Sequence, residues 1–318
     1  MRISVIGCGR WGSCITWYLD QLGHQVTLYG REGSRNMQRF LSDRSNDYLT
    51  LPESVRLTTE IREALESSVI VISISSQQLD GLCRQLAELG AVDKTFVLCM
   101  KGIEMGTCRR LTQILGDTLD PSNHVAVWLG PGHVQEITRG IPNCMVIDCA
   151  EEDVKCRLVD LFSGGIIRFY YGTDLIGNEI GAAAKNVIGI AAGMLDGLNL
   201  STLKGALMSR GTREIARLIK AMGGSELSAY GLCHLGDYEA TVFSQHSQNR
   251  GFGEKFVKGE RFDKLAEGYY TVCALRDMGL QHGVELPITN AVYNCLYRGA
   301  DPKSEIDALF QRDQTMEF

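Results

Sequence analysis

Lys185 lies in the run Gly177-Asn178-Glu179-Ile180-Gly181-Ala182-Ala183-Ala184-Lys185-Asn186-Val187-Ile188-Gly189, on a predicted helix too apolar to face water. A lysine so placed must lower its pKa or find a carboxylate, and either makes it a candidate proton donor and acceptor. Asn178, seven residues earlier, falls on the same helical face. Lys101 ends a predicted strand and is followed by Gly102; ligands of parallel sheets gather beyond the carboxyl ends of strands, so this lysine is expected to point at one. Asp237 and Thr241 are spaced one helical turn apart, which lets a carboxylate and a hydroxyl reach one substrate, or Lys185. The cluster Ser247-Gln248-Asn249-Arg250 then offers donors suited to an anion such as phosphate. Each residue also has a plainer reading: Lys185 a lysine snorkelling from a packed helix, Lys101 an exposed turn residue, Asp237 an N-cap, Arg250 a surface ion pair.

These residues must be held by elements, and the first of them carries its own chemistry. Gly7-Cys8-Gly9-Arg10-Trp11-Gly12 follows the predicted strand Arg2–Ile6 and opens a predicted helix from Trp11 to Leu22. In that context the motif predicts a dinucleotide site: Gly7 for the tight turn, Gly9 for close approach to the pyrophosphate, Gly12 for helix–strand packing. The second strand ends Tyr29-Gly30-Arg31. An acidic residue there would hold the ribose hydroxyls of NAD; Arg31 instead leaves room for a 2′-phosphate, which favours NADP over NAD, although Glu32 close by keeps NAD open.

Short β-branched runs at Gln25–Tyr29, Val55–Thr58, Val69–Ser73, Thr95–Met100, His124–Leu129, Asn143–Ile147 and Gly165–Tyr170 alternate with helical patterns such as Gln78–Glu88 and Cys108–Leu115. That alternation predicts an α/β fold, a doubly wound and mostly parallel sheet with helices on both faces. Past residue 173 the strand signal stops, and helices are expected at Leu175–Leu198, Leu203–Met222, Asp237–Ser247, Arg261–His282, Ile288–Arg298 and Ser304–Gln311. The division is therefore 1–173 for dinucleotide binding and 174–318 for an all-α substrate and catalytic domain, with Gln314–Phe318 a loose tail.

The 318 residues carry 32 Lys+Arg against 38 Asp+Glu, a net charge of −6. With no basic run, this balance excludes nucleic acid or an anionic membrane as the main partner. The longest apolar stretch, 180–195, is interrupted by Lys185 and Asn186, so no membrane span is expected. Eleven cysteines, odd in number and without a CxxC or zinc spacing, read as reduced thiols of a cytoplasmic protein, and no metal site is expected.

Taken together, the motifs resemble the bacterial NAD(P)-dependent glycerol-3-phosphate dehydrogenases nearly end to end. The resemblance rests on Gly7 to Gly12 with Trp11, the Asn46–Tyr48–Pro52 loop, Ser75-Ser76-Gln77, Lys101-Gly102-Ile103-Glu104, Gly130-Pro131, Ala184-Lys185-Asn186-Val187-Ile188, Gly236-Asp237, Asn249-Arg250 and Glu267-Gly268. It implies a Rossmann-type first domain and hydride transfer between NAD(P)H and the dihydroxyacetone phosphate/glycerol 3-phosphate pair, in phospholipid synthesis. Lys185 is then the general acid/base and Lys101 a substrate holder that also meets the cofactor. Asp237 and Asn249 line the substrate site, Arg10, Trp11 and Glu267 contact the cofactor, and the protein is a homodimer.

Two departures bear on the substrate. Where the family has Gly-Pro-Ser-Phe-Ala, this chain has Gly130-Pro131-Gly132-His133-Val134, losing a hydroxyl and gaining an imidazole. Where it has Ser-Arg-Asn, the chain has Ser247-Gln248-Asn249, losing a guanidinium worth about 1.5–3 kcal/mol to a phosphate. Arg250 could substitute after a small shift and His133 could contribute when protonated, but the sequence decides for neither. The competing readings are a reductase of another ketone on the same scaffold and a nucleotide sensor that has lost chemistry.

Overall fold

The computed structural model describes residues 1–314, 316 and 317. The expected tail Gln314–Phe318 therefore includes two positions, Thr315 and Phe318, that lie outside the described residues. The chain forms two compact units, residues 1–100 with 111–173, and residues 101–110 with 174–318. A single division at 173 thus misassigns Lys101–Arg110: this stretch packs with the helical unit, because Ile103 and Cys108 are buried in that unit's apolar core.

The first unit is built on one sheet with strands β1 (Arg2–Ile6), β2 (Gln25–Tyr29), β3 (Arg56–Thr58), β4 (Val69–Ile72), β5 (Thr95–Leu98), β6 (His124–Leu129), β7 (Asn143–Cys149) and β8 (Ile167–Tyr171). Their order is β3-β2-β1-β4-β5-β6-β7-β8, and every pairing is parallel except β6 with β7. Only residues 130–142, containing a single helical turn, join β6 to β7, too little to carry the usual crossover helix, and the chain doubles back. Strands covered on both faces need continuous apolar runs, and β4 is buried at all four positions. The covering helices are α1 (Arg10–Gln21), α2 (Arg35–Asp43), α3 (Ile61–Ala64), α4 (Leu79–Glu88), α5 (Leu111–Thr118), α6 (Val134–Ile137) and α7 (Glu152–Phe162). Strand order reverses direction between β1 and β4, so the crevice beyond the carboxyl ends of these two strands is where such a sheet takes its ligand.

The second unit surrounds α8 (Leu175–Gly197), whose residues from Glu179 to Leu195 are all buried. Asp174 starts it, accepting a hydrogen bond from the Gly177 amide as a cap. Around it lie α9 (Lys204–Ala221), α10 (Gln248–Val257), α11 (Glu267–Gln281), α12 (Pro287–Arg298) and α13 (Pro302–Phe310). Helices α8 and α10 meet through glycine: a Cβ on Gly193 would stand 1.9 Å from the Arg250 carbonyl oxygen, and one on Gly253 would stand 2.1 Å from that of Ile190. Only glycine permits this approach of backbones, and it fixes the start of α10 against α8.

Three expected helices differ from what forms. The stretch Asp237–Ser247 is a 3₁₀ turn at Leu235–Asp237 and a π-helical turn at Glu239–Phe243. The helix expected from Arg261 begins only at Glu267, and the one expected from Cys108 at Leu111, after Cys108 takes a left-handed φ of 61°. No helix among the described residues is long and apolar enough to cross a membrane.

Candidate active site

In the helical unit, three charged groups converge. Lys185 projects from α8 and is 9% exposed at its side chain; its Nζ lies 2.6 Å from Asp237 Oδ2. Lys101, from the stretch that packs with this unit, places its Nζ 2.5 Å from the same oxygen. Two ammonium groups therefore share one carboxylate oxygen, while Asp237 Oδ1 is buried with no hydrogen-bond partner among the described residues. Asp237 is no helix cap, and its carboxylate is spent on the lysines.

Burial pushes the Lys185 ammonium down to about 7; Asp237 opposes this, and the neighbouring Lys101 charge adds to it. A lysine poised at neutrality can give a proton to an oxygen that gains negative charge and take it back in the reverse direction.

Asp237 is held from behind by His234, which is fully buried. Its Nδ1 lies 2.8 Å from the Gly181 carbonyl, an acceptor, so Nδ1 carries the hydrogen and Nε2 accepts from the Tyr238 hydroxyl at 2.7 Å. Burial brings the His234 pKa down to about 4, leaving the ring neutral at pH 7. The ring thus pins the turn carrying Asp237 to α8, one turn before Lys185. Sequence reasoning gave His234 no role; its only signal was an imidazole three residues before the aspartate.

Thr241 is buried and turns its methyl toward α8, where a Cβ on Gly189 would lie 2.8 Å from Thr241 Cγ2. The turn from 235 to 243 is not a regular helix, so the spacing argument that set Thr241 beside Asp237 does not hold. Ser247 caps α10, accepting from the Arg250 amide. Gln248 is half-buried, its amide 3.4 Å from the His246 carbonyl. The Asn249 amide joins Asn186 at 3.0 Å and accepts from the Gly268 amide at 2.9 Å. Arg250 corrects an expectation: its Nε donates to Asp196 at 2.6 Å and its Nη2 lies 3.5 Å from Glu254, so the guanidinium is committed to carboxylates. Glu267 is the first residue of α11. Asn178 is half-buried in the first turn of α8.

In the sheet unit, Gly7 has φ +114°, and a Cβ there would fall 2.1 Å from the Ser73 carbonyl oxygen; one on Gly12 would fall 1.9 Å from that of Gly7. Gly9 differs, since a Cβ on it would meet nothing within 4 Å. It caps α1 with no side chain, and the first turn carries no acidic residue. The turn is thus closed on the protein side and open where backbone amides of the helix start face an anion, which fits a dinucleotide pyrophosphate. The Arg10 guanidinium lies 5.9 Å over the Tyr48 ring, and Asn46 of the same loop donates to Ser13 on α1 at 2.9 Å. The Trp11 ring edge comes within 3.2 Å of where a Cβ on Gly132 would be. Gly130 has φ +126° just past β6, and His133 precedes the one-turn helix α6 as its N-cap. Arg31 is exposed two residues past β2 and makes no ion pair among the described residues.

The family profile described as NAD-dependent glycerol-3-phosphate dehydrogenase N-terminus matches residues 2–155, and that of the C-terminus matches residues 174–307. The chain belongs to this family. It is similar to an Exiguobacterium glycerol-3-phosphate dehydrogenase [NAD(P)+], 36% identical over 100% of this chain and 97% of that protein. The Corynebacterium glutamicum protein of the same name is also 36% identical, with 100% of each chain covered. The crystal structure of glycerol-3-phosphate dehydrogenase from Coxiella burnetii superposes with a TM-score of 0.90 at 27% identity, covering 98% of this chain and 99% of that one. The chain is accordingly an oxidoreductase of a family that uses NAD or NADP, with a Rossmann-type first domain and a helical second one.

Among the described residues no group of His, Cys, Asp and Glu is suited to a metal.

Proposed function

We propose that this protein reduces dihydroxyacetone phosphate to sn-glycerol 3-phosphate in the cytoplasm, reversibly, supplying phospholipid synthesis. The bound nicotinamide supplies the hydride that reaches the carbonyl carbon. The Lys185 ammonium donates its proton to the carbonyl oxygen as that oxygen becomes an alkoxide, and in the reverse direction neutral Lys185 takes the hydroxyl proton. Asp237 orients both lysines, and Lys101 holds the substrate. Ser247 and Gln248 at the start of α10, with Gly130, complete the substrate contacts.

Gly7, Gly9 and Gly12 cradle the pyrophosphate, with Arg10, Trp11, Lys101 and Glu267 as further cofactor contacts. Arg31 reads the 2′-phosphate, so NADPH is preferred to NADH. A homodimer follows from the family resemblance, and the free state of all eleven cysteines supports a reducing compartment.

The observation that carries the reading is the buried Lys185 ammonium, brought to about pH 7 and set 2.6 Å from Asp237. It is tested by following oxidation of NADPH, and separately NADH, by the purified protein over a range of dihydroxyacetone phosphate concentrations. Saturable turnover, stronger with NADPH, is expected. Cofactor binding without turnover on this ketone overturns the substrate assignment.

A further inference from the structure

Three hydrogen bonds run in sequence through the helical unit and end on Lys101. The amide of Gly268, in the first turn of α11, donates to Asn249 Oδ1 at 2.9 Å. Asn249 Nδ2 donates to Asn186 Oδ1 at 3.0 Å, and Asn186 Nδ2 donates to the Lys101 carbonyl at 3.1 Å. Both ends of this chain fix its polarity. The Gly268 N–H is one of the helix-start donors that has no carbonyl four residues back, and it can only donate; the Lys101 carbonyl can only accept. Flipping either asparagine amide would set donor against donor and acceptor against acceptor. Neither amide is therefore free to serve a substrate without giving up a partner.

The setting is close-packed. Asn186 is 6% exposed on α8, next to Lys185, and a Cβ on Gly268 would meet the Asn186 carbonyl oxygen at 2.7 Å. The stretch Lys101–Arg110 is also secured farther along, by the Cys108 thiol to the Ala274 carbonyl and by the Arg110–Glu179 ion pair. At the Lys101 end, the side chain goes to Asp237 and the backbone to Asn186.

We infer that Asn186 and Asn249 are positioning residues that fix Lys101 through its main-chain carbonyl, with Asn249 as a strut between α11 and Asn186. This rests on the reading of Lys101 as the residue that holds substrate, and it gives Asn249 a different duty from the substrate contact implied by family resemblance. A side chain placed by its own backbone anchor keeps its ammonium on the shared carboxylate oxygen, where Lys185 also sits.

The test uses the full-length protein with Asn186→Ala, Asn249→Ala, the double variant, and each single change in a Lys101→Ala background. Asn249→Asp is added because it keeps the volume and the acceptor for the Gly268 amide but puts an acceptor where the donor to Asn186 stood. Each single change is expected to lower kcat/KM for dihydroxyacetone phosphate about 10-fold, leaving the Kd for NADPH within about twofold. The double variant should lose no more than the worse single, and in the Lys101→Ala background the further loss should be under about twofold, as for groups acting through one path. Backbone amide exchange of the 101–110 peptide should accelerate in every asparagine variant, with Asn249→Asp behaving like Asn249→Ala. Losses that multiply in the double variant, or that persist undiminished without Lys101, overturn the inference. So does unchanged exchange in 101–110. If the unmodified protein shows no turnover of dihydroxyacetone phosphate while the exchange still accelerates, the functional reading falls and the positioning role stands.

Discussion

Lys185 is governed by burial and two charged neighbours, of unequal effect, and the direction of each is testable. Burial and Lys101 disfavour its charge; Asp237 favours it, and the balance lies at about 7. A donor must be protonated, so kcat/KM for ketone reduction should be level below about pH 7 and fall above it, while glycerol 3-phosphate oxidation should rise toward pH 7 and then level off. Lys101→Met removes one of the lowering influences, so the limb should move to higher pH in the activity that survives; a move to lower pH would show that the two ammoniums do not interact as the geometry has it. The same shift acts on stability. The unfolded chain holds the Lys185 proton up to about 10.5 and the folded chain only up to about 7, so the cost of the buried charge is fully present below 7 and is relieved as pH rises between these values. Replacing the donor, Lys185→Ala, should lower turnover about a thousandfold with NADPH affinity kept, as measured by steady-state kinetics beside cofactor titration. Loss of cofactor binding would mean that Lys185 serves the wrong partner in this scheme. Gln248→Arg should lower the KM for dihydroxyacetone phosphate about tenfold and leave that for unphosphorylated dihydroxyacetone alone, because Arg250 is already engaged by Asp196 and Glu254. Equal KM values would show that the phosphate is held without this position.

Helix α10 shows how an element can be decided by packing and stay hidden from local pattern. Its Asn249, Gly251 and Gly253 are poor helix formers, and its polar start reads as a loop cluster. Gly193 and Gly253 nevertheless let its backbone settle on α8, and that burial supplies what propensity does not. Gly193→Ala should therefore push Ser247, Gln248 and Asn249 out of place. We expect about 1–3 kcal/mol of lost stability together with a raised KM for dihydroxyacetone phosphate, read from urea unfolding and kinetics; a destabilised protein with an unchanged KM would separate the seam from the site. The converse error is instructive too. Residues 237–247 carry a helical spacing, but His234 bonds to the Gly181 carbonyl and Tyr238 donates to His234, and these tertiary bonds draw the chain into tight turns. By contrast the strands and α8 were legible because burial on all sides leaves a continuous apolar run, which local composition records directly. Lys185 stood out for the same reason, as a charge in such a run, whereas Asn186 carried only its identity beside it.

The molecule as a whole departs from the order of its sequence at one place, and that place holds Lys101. The chain leaves the sheet unit after Met100, gives residues 101–110 to the helical unit, and returns at Leu111 before finally leaving at 173. Nothing local predicts this: the end of the strand signal marks where one kind of element gives way to another, but it carries no information about which core a ten-residue stretch will join. Ile103 and Cys108 decide it, since both are buried among residues of α8, α9, α11 and α12 in the second core, and the Arg110–Glu179 ion pair fastens the far end. A division drawn at 173 would take from the helices the residue that fills this part of their core and one of the two ammoniums that share Asp237. Residues 174–318 made alone should then expose apolar surface where Ile103 packs and leave Asp237 with a single lysine. They are expected to bind a hydrophobic dye and to melt at lower temperature and over a broader range than the same unit in the full chain, and a synthetic peptide of residues 101–110 should restore part of the difference in proportion to its concentration. A sharp, peptide-independent transition at the full-length temperature would show that the helical core closes without this stretch, and would leave the placement of Lys101 to its asparagine and aspartate partners alone.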